Sequence, residues 1–285
     1  MQAGALALVA SILWGGNQVF IKIGLEGIPP LAMAGLRFVL GGLTVALAAR
    51  WARVALAVPK SAWPGLAGLS LVFITQIYLL NQGTVYTEAS RSTVMISAYP
   101  FFTALFAHFF IPGDQLTLNK VGGLALAFAG VVLVFAESLV LTETDFLLGD
   151  GMVLLSAAFL GLRQILIKRL VHGLHPFQVL FWQALLSLPA FALLSALFER
   201  QGLYHFDGAV LVALLYQGLV VAGLCFILWV FLLQRHSASR LGVYGFSTPV
   251  CGALLSYLLL GETLTPAVLA SVALVGAGVV VVNRK

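Results

Sequence analysis

ILWGGNQVFIKIGLEGIPP, residues 12–30, is the stretch that decides the fold. It has the length and apolarity of a membrane helix, but Asn17, Gln18 and Lys22 interrupt it, and polar groups are costly in lipid. A similar pattern recurs in FLGLRQILIKRLVHGLHPF, residues 159–177. Polar residues that recur in this way are part of a pattern, and the pattern predicts both architecture and function.

The composition identifies a membrane protein. The chain is 61% hydrophobic and 9% charged, whereas a soluble domain is about a quarter charged. No soluble fold of 285 residues could bury so much apolar surface. The apolar runs are about 20 residues long, as transmembrane helices require, and lack the alternation of barrel strands. The sequence therefore predicts an all-α, polytopic membrane protein.

Proline, glycine and charged residues divide the chain into ten predicted spans with short connections. The spans are 3–24, 30–50, 63–85, 90–111, 119–137, 148–169, 176–198, 208–232, 239–260 and 265–282.

The basic residues orient these spans through the positive-inside rule. With the N-terminus in the cytoplasm, most of the 15 basic residues fall at cytoplasmic ends, whereas Arg91 and Arg200 lie on the other side. The cytoplasmic set is Arg50, Arg53, Lys60, Lys120, Lys168, Arg169, Arg235, Arg240, Arg284 and Lys285. We therefore expect a multi-pass inner-membrane protein with both termini in the cytoplasm. Scattered charges of this kind do not indicate nucleic-acid binding.

An internal repeat relates the two halves of the chain. Residues 18–22 align with 164–168 at an offset of 146, and residues 113–117 align with 261–265 at an offset of 148. Each half holds five spans, so the second half enters the membrane from the opposite side. Inverted repeats of this kind build many secondary transporters, with the substrate near the midplane. The predicted halves are residues 1–140 and 147–285.

Three motifs carry a resemblance to a known family. They are ILWGGNQVFIK with a proline soon after it, GETLT at 261–265, and GAGVVVV at 276–282. The chain resembles the drug/metabolite transporter superfamily, specifically the EamA-type ten-helix exporters. The resemblance covers the whole chain and implies two five-helix halves around a central cavity. It also implies export of small metabolites such as amino acids, and aromatic amino-acid exporters belong to this superfamily.

Two prolines at repeat-related positions predict kinks beside the cavity. Pro100 and Pro249 lie within predicted spans four and nine, where each removes one backbone hydrogen bond. The freed carbonyl groups, of Ile96 and Gly245, must be satisfied by protein or by a wet cavity. These carbonyl groups could accept hydrogen bonds from a substrate. Alternatively, the prolines only bend the helices, and neighbouring side chains satisfy the carbonyl groups.

Polar and aromatic residues cluster on spans one, three, four, six and nine, and are sparse on spans five and ten. Individually, such groups often only join neighbouring helices; as a set they indicate a cavity. On a continuous helix, Ser11, Trp14, Gly15 and Gln18 share one face and Asn17 lies on another. The predicted substrate-binding residues are Trp14, Gln18, Tyr78, Gln82, Tyr99, Arg163, Gln164, Tyr244 and Ser247.

Charges within the spans are few. Arg163 could pair with a substrate carboxylate or extend to the interface, whereas Lys22 and Lys168 are expected to extend to the interface. No Asp or Glu lies near the centre of a predicted span, which favours facilitated diffusion or exchange. Proton antiport through His108 or Glu88 is the alternative.

The sequence therefore predicts a carrier that exports a small metabolite, with amino acids favoured and aromatic ones suggested by the tryptophan and tyrosines. Alternatives are carriers for sugars, nucleosides or drugs, and an intramembrane serine hydrolase built on Gly245-Phe246-Ser247. A channel would need rings of like groups, which the sequence lacks. No metal or cofactor is predicted. The expected partners are the substrate and the lipid bilayer, for a monomer or a homodimer.

Overall fold

The protein folds as a bundle of apolar helices. A computed structural model describes residues 2–111, 118–140, 144–199, 204–236 and 247–282. The first-half helices are α1 (Gln2–Gly15), α2 (Asn17–Leu25), α3 (Pro30–Trp51), α4 (Trp63–Tyr86), α5 (Ala89–Ile96), α6 (Tyr99–Phe110) and α7 (Leu118–Val140). The second-half helices are α8 (Thr144–Leu170), α9 (Pro176–Phe198), α10 (Gly208–Leu215), a π-helix (Tyr216–Cys225), α11 (Phe226–Arg235), α12 (Ser247–Leu260) and α13 (Pro266–Val282).

Within the described residues, seven segments are long and apolar enough to cross a membrane. Three shorter apolar helices, Val121–Val134, Ser247–Leu260 and Pro266–Gly278, accompany them. The chain is therefore a polytopic helical membrane protein, as its composition predicts.

Two of the seven segments are broken rather than continuous. A turn at Gly16 separates α1 from α2, and a turn at Ser97–Ala98 separates α5 from α6. Pro100 lies in the first turn of α6, where its missing N–H costs nothing. At the kink predicted at Pro100, the α-helix is interrupted by a turn at Ser97–Ala98, although both residues keep right-handed helical dihedral angles. Pro249 lies in the first turn of α12, and the residues before that helix lie outside the described part of the chain.

A third segment, Gly208–Arg235, changes its helical geometry. Its central ten residues, Tyr216–Cys225, form a π-helix, a rare arrangement that often occurs at functional sites. The π-helix packs closely on α3, since a Cβ at Gly41 would lie 2.7 Å from the Cβ of Ala222. This close approach draws α3 toward the centre of the bundle.

Helices of the two halves pack against each other. α4 packs on α8, α3 on α9 and the π-helix, α6 on α8, and α1 on α12. The apolar helices α7 and α13 pack mainly on each other, where Gly130 brings the backbones together. The centre of the bundle is therefore built by the other helices.

Arg91 is the centre of a buried ionic cluster. It pairs with Asp150 at 2.7 Å and with Glu137 at 2.6 Å. Thr87 also donates a hydrogen bond to Asp150, at 2.7 Å. The cluster joins α5, α7 and α8, and the positive charge of Arg91 is balanced by acids.

Lys22 and Lys168 correct an expectation of the sequence. Lys22 Nζ donates to the carbonyl oxygens of Thr84 at 3.1 Å and Thr87 at 2.7 Å, at the end of α4. Lys168 Nζ donates to those of Leu233 at 2.7 Å and His236 at 3.3 Å, at the end of α11. Both lysines bind the C-terminus of a neighbouring helix, where a cation is favourable, so neither simply extends to the interface.

Candidate functional site

A cavity lies at the centre of the bundle. From the first half it is lined by α1–α6, and from the second half by α8, the π-helix, α11 and α12. Its empty volume is about 850 Å³, including the space open to the outside. Its lining residues are Trp14, Asn17, Gln18, Arg37, Gln76, Ile77, Leu80, Ile96, Ser97, Tyr99, Leu160, Arg163, Gln164, Ile167, Val221, Phe226, Trp229, Val230 and Thr248.

Arg163 projects from α8 into this cavity and is held in a fixed orientation. Its Nε donates to Gln183 Oε1 at 3.0 Å, and its Nη1 to Gln76 Oε1 at 3.4 Å. The guanidinium also lies over the rings of Phe73, at 4.5 Å, and Phe226, at 4.6 Å. Cation–π contacts and neutral amides hold the side chain without neutralising it.

Arg37 projects from α3 and is 2% exposed. Its Nη1 donates to Gln217 Oε1 at 3.2 Å, and Gln217 in turn donates to the carbonyl of Phe20 at 2.8 Å. Within the described part of the chain, the buried Nε of Arg37 has no hydrogen-bond partner. Arg37 and Arg163 both line the cavity, and no Asp or Glu is among its described lining residues. The cavity is therefore strongly positive.

Aromatic side chains form an apolar wall of the cavity. Trp14 contacts Trp229 edge-on at a centroid distance of 4.9 Å, and Phe226 at 6.1 Å. Ile77 and Leu80 of α4 also line the cavity. An amphipathic solute could place a charged group at the arginines and an apolar group on these rings.

Amide side chains also line the cavity, two of them directly after the turn between α1 and α2. Asn17 begins α2 directly after the turn at Gly16, and its Nδ2 donates to Gln18 Oε1 at 2.9 Å. Gln18 donates to Ser92 Oγ at 3.1 Å. Among the residues that the structure describes, Asn17 Oδ1 and Gln164 Oε1 are buried without a hydrogen-bond partner. Buried polar atoms are rarely left unpaired, so these two oxygens are open to a ligand.

The structure brings together five of the predicted site residues. They are Trp14, Gln18, Tyr99, Arg163 and Gln164.

The other predicted residues lie elsewhere. Tyr78 is 39% exposed on the outer surface of α4, and Gln82 bonds to Tyr86 Oη at 3.3 Å. Ser247 is buried at the start of α12 but does not line the cavity, whereas its neighbour Thr248 does. Tyr244 lies outside the described residues. The spacing of Tyr78 and Gln82 identified a stripe of α4, but the cavity uses the opposite stripe, which includes Gln76.

Arg37 and Asn17 were missed by the sequence reasoning. Arg37 aligns with Gln183 across the repeat, so both positions are polar within predicted spans. That shared polarity could have indicated Arg37 as a site residue. In the structure, Gln183 accepts a hydrogen bond from Arg163. Asn17 was assigned to a different helix face from Gln18 because α1 and α2 were treated as continuous. A turn at Gly16 interrupts the helix directly before them, and both residues line the cavity.

Comparison with known proteins agrees with this architecture. The model of the EamA-like transporter family matches residues 2–136 and 147–284. A protein of known crystal structure, 20% identical, superposes with a TM-score of 0.78 over 99% of this chain and 98% of its own. At that identity the likeness shows the fold alone.

Named relatives cover nearly the whole chain. A probable amino-acid metabolite efflux pump of Salmonella typhimurium is 32% identical, over 96% of this chain and 92% of its own. A pump of the same description in Escherichia coli is 29% identical, over 92% and 88%. A probable terminal-alkyne amino-acid exporter of Streptantibioticus cattleyicolor is 25% identical, over 98% and 93%. The matched family and these relatives are transporters, which confirms the resemblance predicted from the motifs. The chain belongs to the EamA-like transporter family.

Proposed function

We propose that this protein is a secondary transporter that exports a small amphipathic metabolite, an amino acid or a compound derived from one, with a preference for aromatic side groups. The cavity carries this proposal, because it combines buried arginines and amides with an aromatic wall. The relatives described as amino-acid efflux pumps and exporters support the direction and the substrate class.

We further propose ten spans arranged as two inverted repeats. The three shorter apolar helices occupy predicted spans five, nine and ten. The proposed halves are residues 1–140 and 147–285. The protein is proposed to lie in the inner membrane, with both termini in the cytoplasm. Sorting of the basic residues to one side supports this orientation. The bilayer is the expected partner of a monomer or homodimer.

Equivalent contacts in the two halves support the inverted repeat. Lys22 and Lys168, 146 residues apart, bind carbonyls of Thr84 and Leu233, which are 149 residues apart. Each lysine belongs to one half and caps the third or eighth span at the same relative position. Such equivalent contacts are expected when the two halves of the chain share one fold and are related by an internal repeat.

The cavity lining follows the same relation. Offsets of 146 and 149 pair most of its residues with one another. The pairs are Trp14 with Leu160, Asn17 with Arg163, Gln18 with Gln164, Ile77 with Phe226, Leu80 with Trp229, and Tyr99 with Thr248. A cavity placed between the repeats can open to either side when the halves exchange conformations, which is alternating access.

The acids suggest a mode of coupling. Every Asp and Glu lies near the end of a predicted span, and proton-coupled carriers commonly use a carboxylate within the membrane. We therefore propose facilitated diffusion or exchange.

Counterflow into proteoliposomes tests the proposal. Vesicles loaded with unlabelled solute should transiently accumulate the labelled solute, and initial rates should saturate. Amino acids and their derivatives, sugars and nucleosides should be screened, with aromatic compounds expected to move best. Trp14→Ala should slow transport, whereas Trp51→Ala, at a residue 91% exposed outside the cavity, should not. Rates that rise linearly with concentration, without counterflow, would exclude a carrier.

A further inference from the structure

The geometry points to a narrower substrate class. We infer that the cavity binds an organic anion between Arg37 and Arg163, namely a carboxylate whose α-nitrogen is acylated or replaced by a hydroxyl group. N-acyl amino acids and hydroxy acids belong to this class, whereas a zwitterionic amino acid does not. The inference rests on the proposed transport function and concerns the charge of the solute.

The charges of the cavity are the first argument. Arg37 and Arg163 both line it, and no Asp or Glu is among its described lining residues. Elsewhere the same chain balances a buried arginine, since Arg91 pairs with Asp150 and Glu137. Leaving a buried charge uncompensated is expensive. Because the two cavity arginines lack an acidic partner in the lining, we expect a transported anion to compensate their charge while it is bound.

The open donors are the second argument. Among the described residues, Arg37 makes one side-chain hydrogen bond, to Gln217, and its buried Nε has no partner. Arg163 uses Nε and Nη1 on two neutral amides, the second at a long 3.4 Å. A guanidinium has further N–H donors in a planar fork, and that fork fits a carboxylate. The remaining donors of both arginines suit the two oxygens of one carboxylate.

The ammonium of a zwitterion would find no matching charge. The C-terminus of α5, at Ile96, borders the cavity and carries partial negative charge. A helix end carries about half an elementary charge. The N-terminus of α6, of opposite sign, begins at Tyr99 in the same lining. The partial charges of these two helix ends largely cancel. The full positive charges of Arg37 and Arg163 therefore dominate the electrostatic potential of the cavity.

Neutral acceptors are present instead. In the described part of the chain, Asn17 Oδ1 and Gln164 Oε1 are buried and lack partners, and both residues line the cavity. Neutral amide oxygens are suited to a neutral donor such as an amide N–H or a hydroxyl group. The aromatic wall around Trp14 and Trp229 accommodates an apolar side group. Carboxylate, neutral donor and apolar group together describe an N-acyl amino acid or a hydroxy acid.

A matched series of phenyl compounds tests this inference. Labelled N-acetylphenylalanine, phenyllactate, phenylalanine, phenylalaninamide and N-acetylphenylalanine amide share one ring and differ in charge. In proteoliposome counterflow at pH 7 we expect the two anions to be taken up at least about tenfold faster than phenylalanine, because the ammonium of phenylalanine would be buried beside two arginines without a matching acid. The cationic amide should be excluded.

Three results would overturn the inference, and they are distinguishable. If phenylalanine moves as fast as the anions or faster, the protein is a zwitterion carrier, and the proposed transport function stands. If no member of the series shows saturable uptake, while the amino acids, sugars and nucleosides of the wider screen also fail, the proposed function falls as well. If another solute of that screen moves while the anions do not, the inference alone fails.

Variants separate a binding role from a structural one. Arg37→Gln and Arg163→Gln should reduce the ratio of N-acetylphenylalanine uptake to that of its neutral amide by about tenfold. Arg37→Lys and Arg163→Lys keep the charge and should retain most of the anion preference. The ratio is insensitive to the amount of folded protein. Arg50→Gln removes an exposed cation outside the cavity and should leave it unchanged. An unchanged ratio in both glutamine variants would contradict the inference.

Discussion

Arg91 and Asp150 form an ion pair of 2.7 Å in which both side chains are buried, at 1% and 0% exposure. Glu137 completes the cluster at 2.6 Å from Arg91. Arg37 and Arg163 are also buried, but only amides and aromatic rings hold them. The chain thus uses buried arginine in two ways, as a balanced structural link and as an open charge in a cavity.

The structural cluster should be costly to break. Arg91→Met leaves Asp150 and Glu137 as uncompensated acids, so we expect the free energy of unfolding to fall by about 3–5 kcal/mol. Asp150→Asn should cost less, because Glu137 still balances Arg91. Denaturant unfolding in detergent micelles measures both. A similar loss in the two variants would contradict this order, and the double variant should lose less than the sum of the two single losses.

The lysine caps provide a test of the repeat. Lys22→Met and Lys168→Met each remove charge-assisted hydrogen bonds to helix C-termini, and each should cost about 2 kcal/mol of unfolding free energy. Equal losses are expected because the two contacts are equivalent. Lys60→Met, at an exposed residue, is the matched control. A loss confined to one of the capping lysines would argue against equivalent roles.

Close helix contacts at repeat-related glycines provide another test. A Cβ at Gly15 would lie 2.5 Å from Cys251 Cβ, and one at Gly161 would lie 2.7 Å from the Thr103 backbone nitrogen. Gly15→Ala and Gly161→Ala should each lower stability by about 1–3 kcal/mol through overpacking. Gly68 has open space around it, so Gly68→Ala should be tolerated. Thermal unfolding in detergent would detect the difference, and equal melting temperatures for all three variants would refute the packing argument.

Glu88 should make stability depend on pH. Burial raises the pKa of Glu88 above its ordinary value of 4.5, and Glu262 and Glu137 add to this, against the opposing charges of Arg91 and Lys22. The folded protein therefore holds this proton more tightly than the unfolded chain. The resulting stability is fully present below pH 4.5 and is lost as the pH rises through the raised pKa.

Glu88→Gln removes that titration. The variant should melt at a higher temperature than the wild type at pH 7 and at a similar temperature at pH 4. Glu262→Gln is the matched comparison, because Glu262 accepts hydrogen bonds from the backbone N–H groups of Ala89 and Ser90 at 2.7 and 2.9 Å. It should destabilise the protein at pH 7. A stabilisation by Glu88→Gln that is the same at both pH values would show that this carboxyl does not titrate as expected.

The positions of the helices could be predicted closely from the sequence. Spans expected at 30–50 and 176–198 correspond to Pro30–Trp51 and Pro176–Phe198. Apolar runs are local features, and proline marks the start of both helices. The break beside Pro100 was expected only as a kink, because a missing N–H does not reveal whether the helix resumes in phase.

The candidate site was predictable in part. Arg163, Gln164 and Tyr99 were identified because polar groups within apolar spans are conspicuous. Arg37 was left out of the site, because its neighbours along the chain are apolar and its partner Gln217 lies in the other half. Tyr78 was included on spacing alone, although it is exposed on the outer surface.

Local patterns in the amino-acid chain were thus sufficient for the membrane class, the helix positions and the family, since hydrophobicity and charge act over a few neighbouring residues. The placement of Arg37 and Arg163 in one cavity, and the contact of Lys22 with the end of α4, depended on folding. Those contacts join residues distant in sequence, and helix breaks and close glycine packing determine which faces meet. The charge of the cavity, and with it the inferred substrate class, follows from that packing.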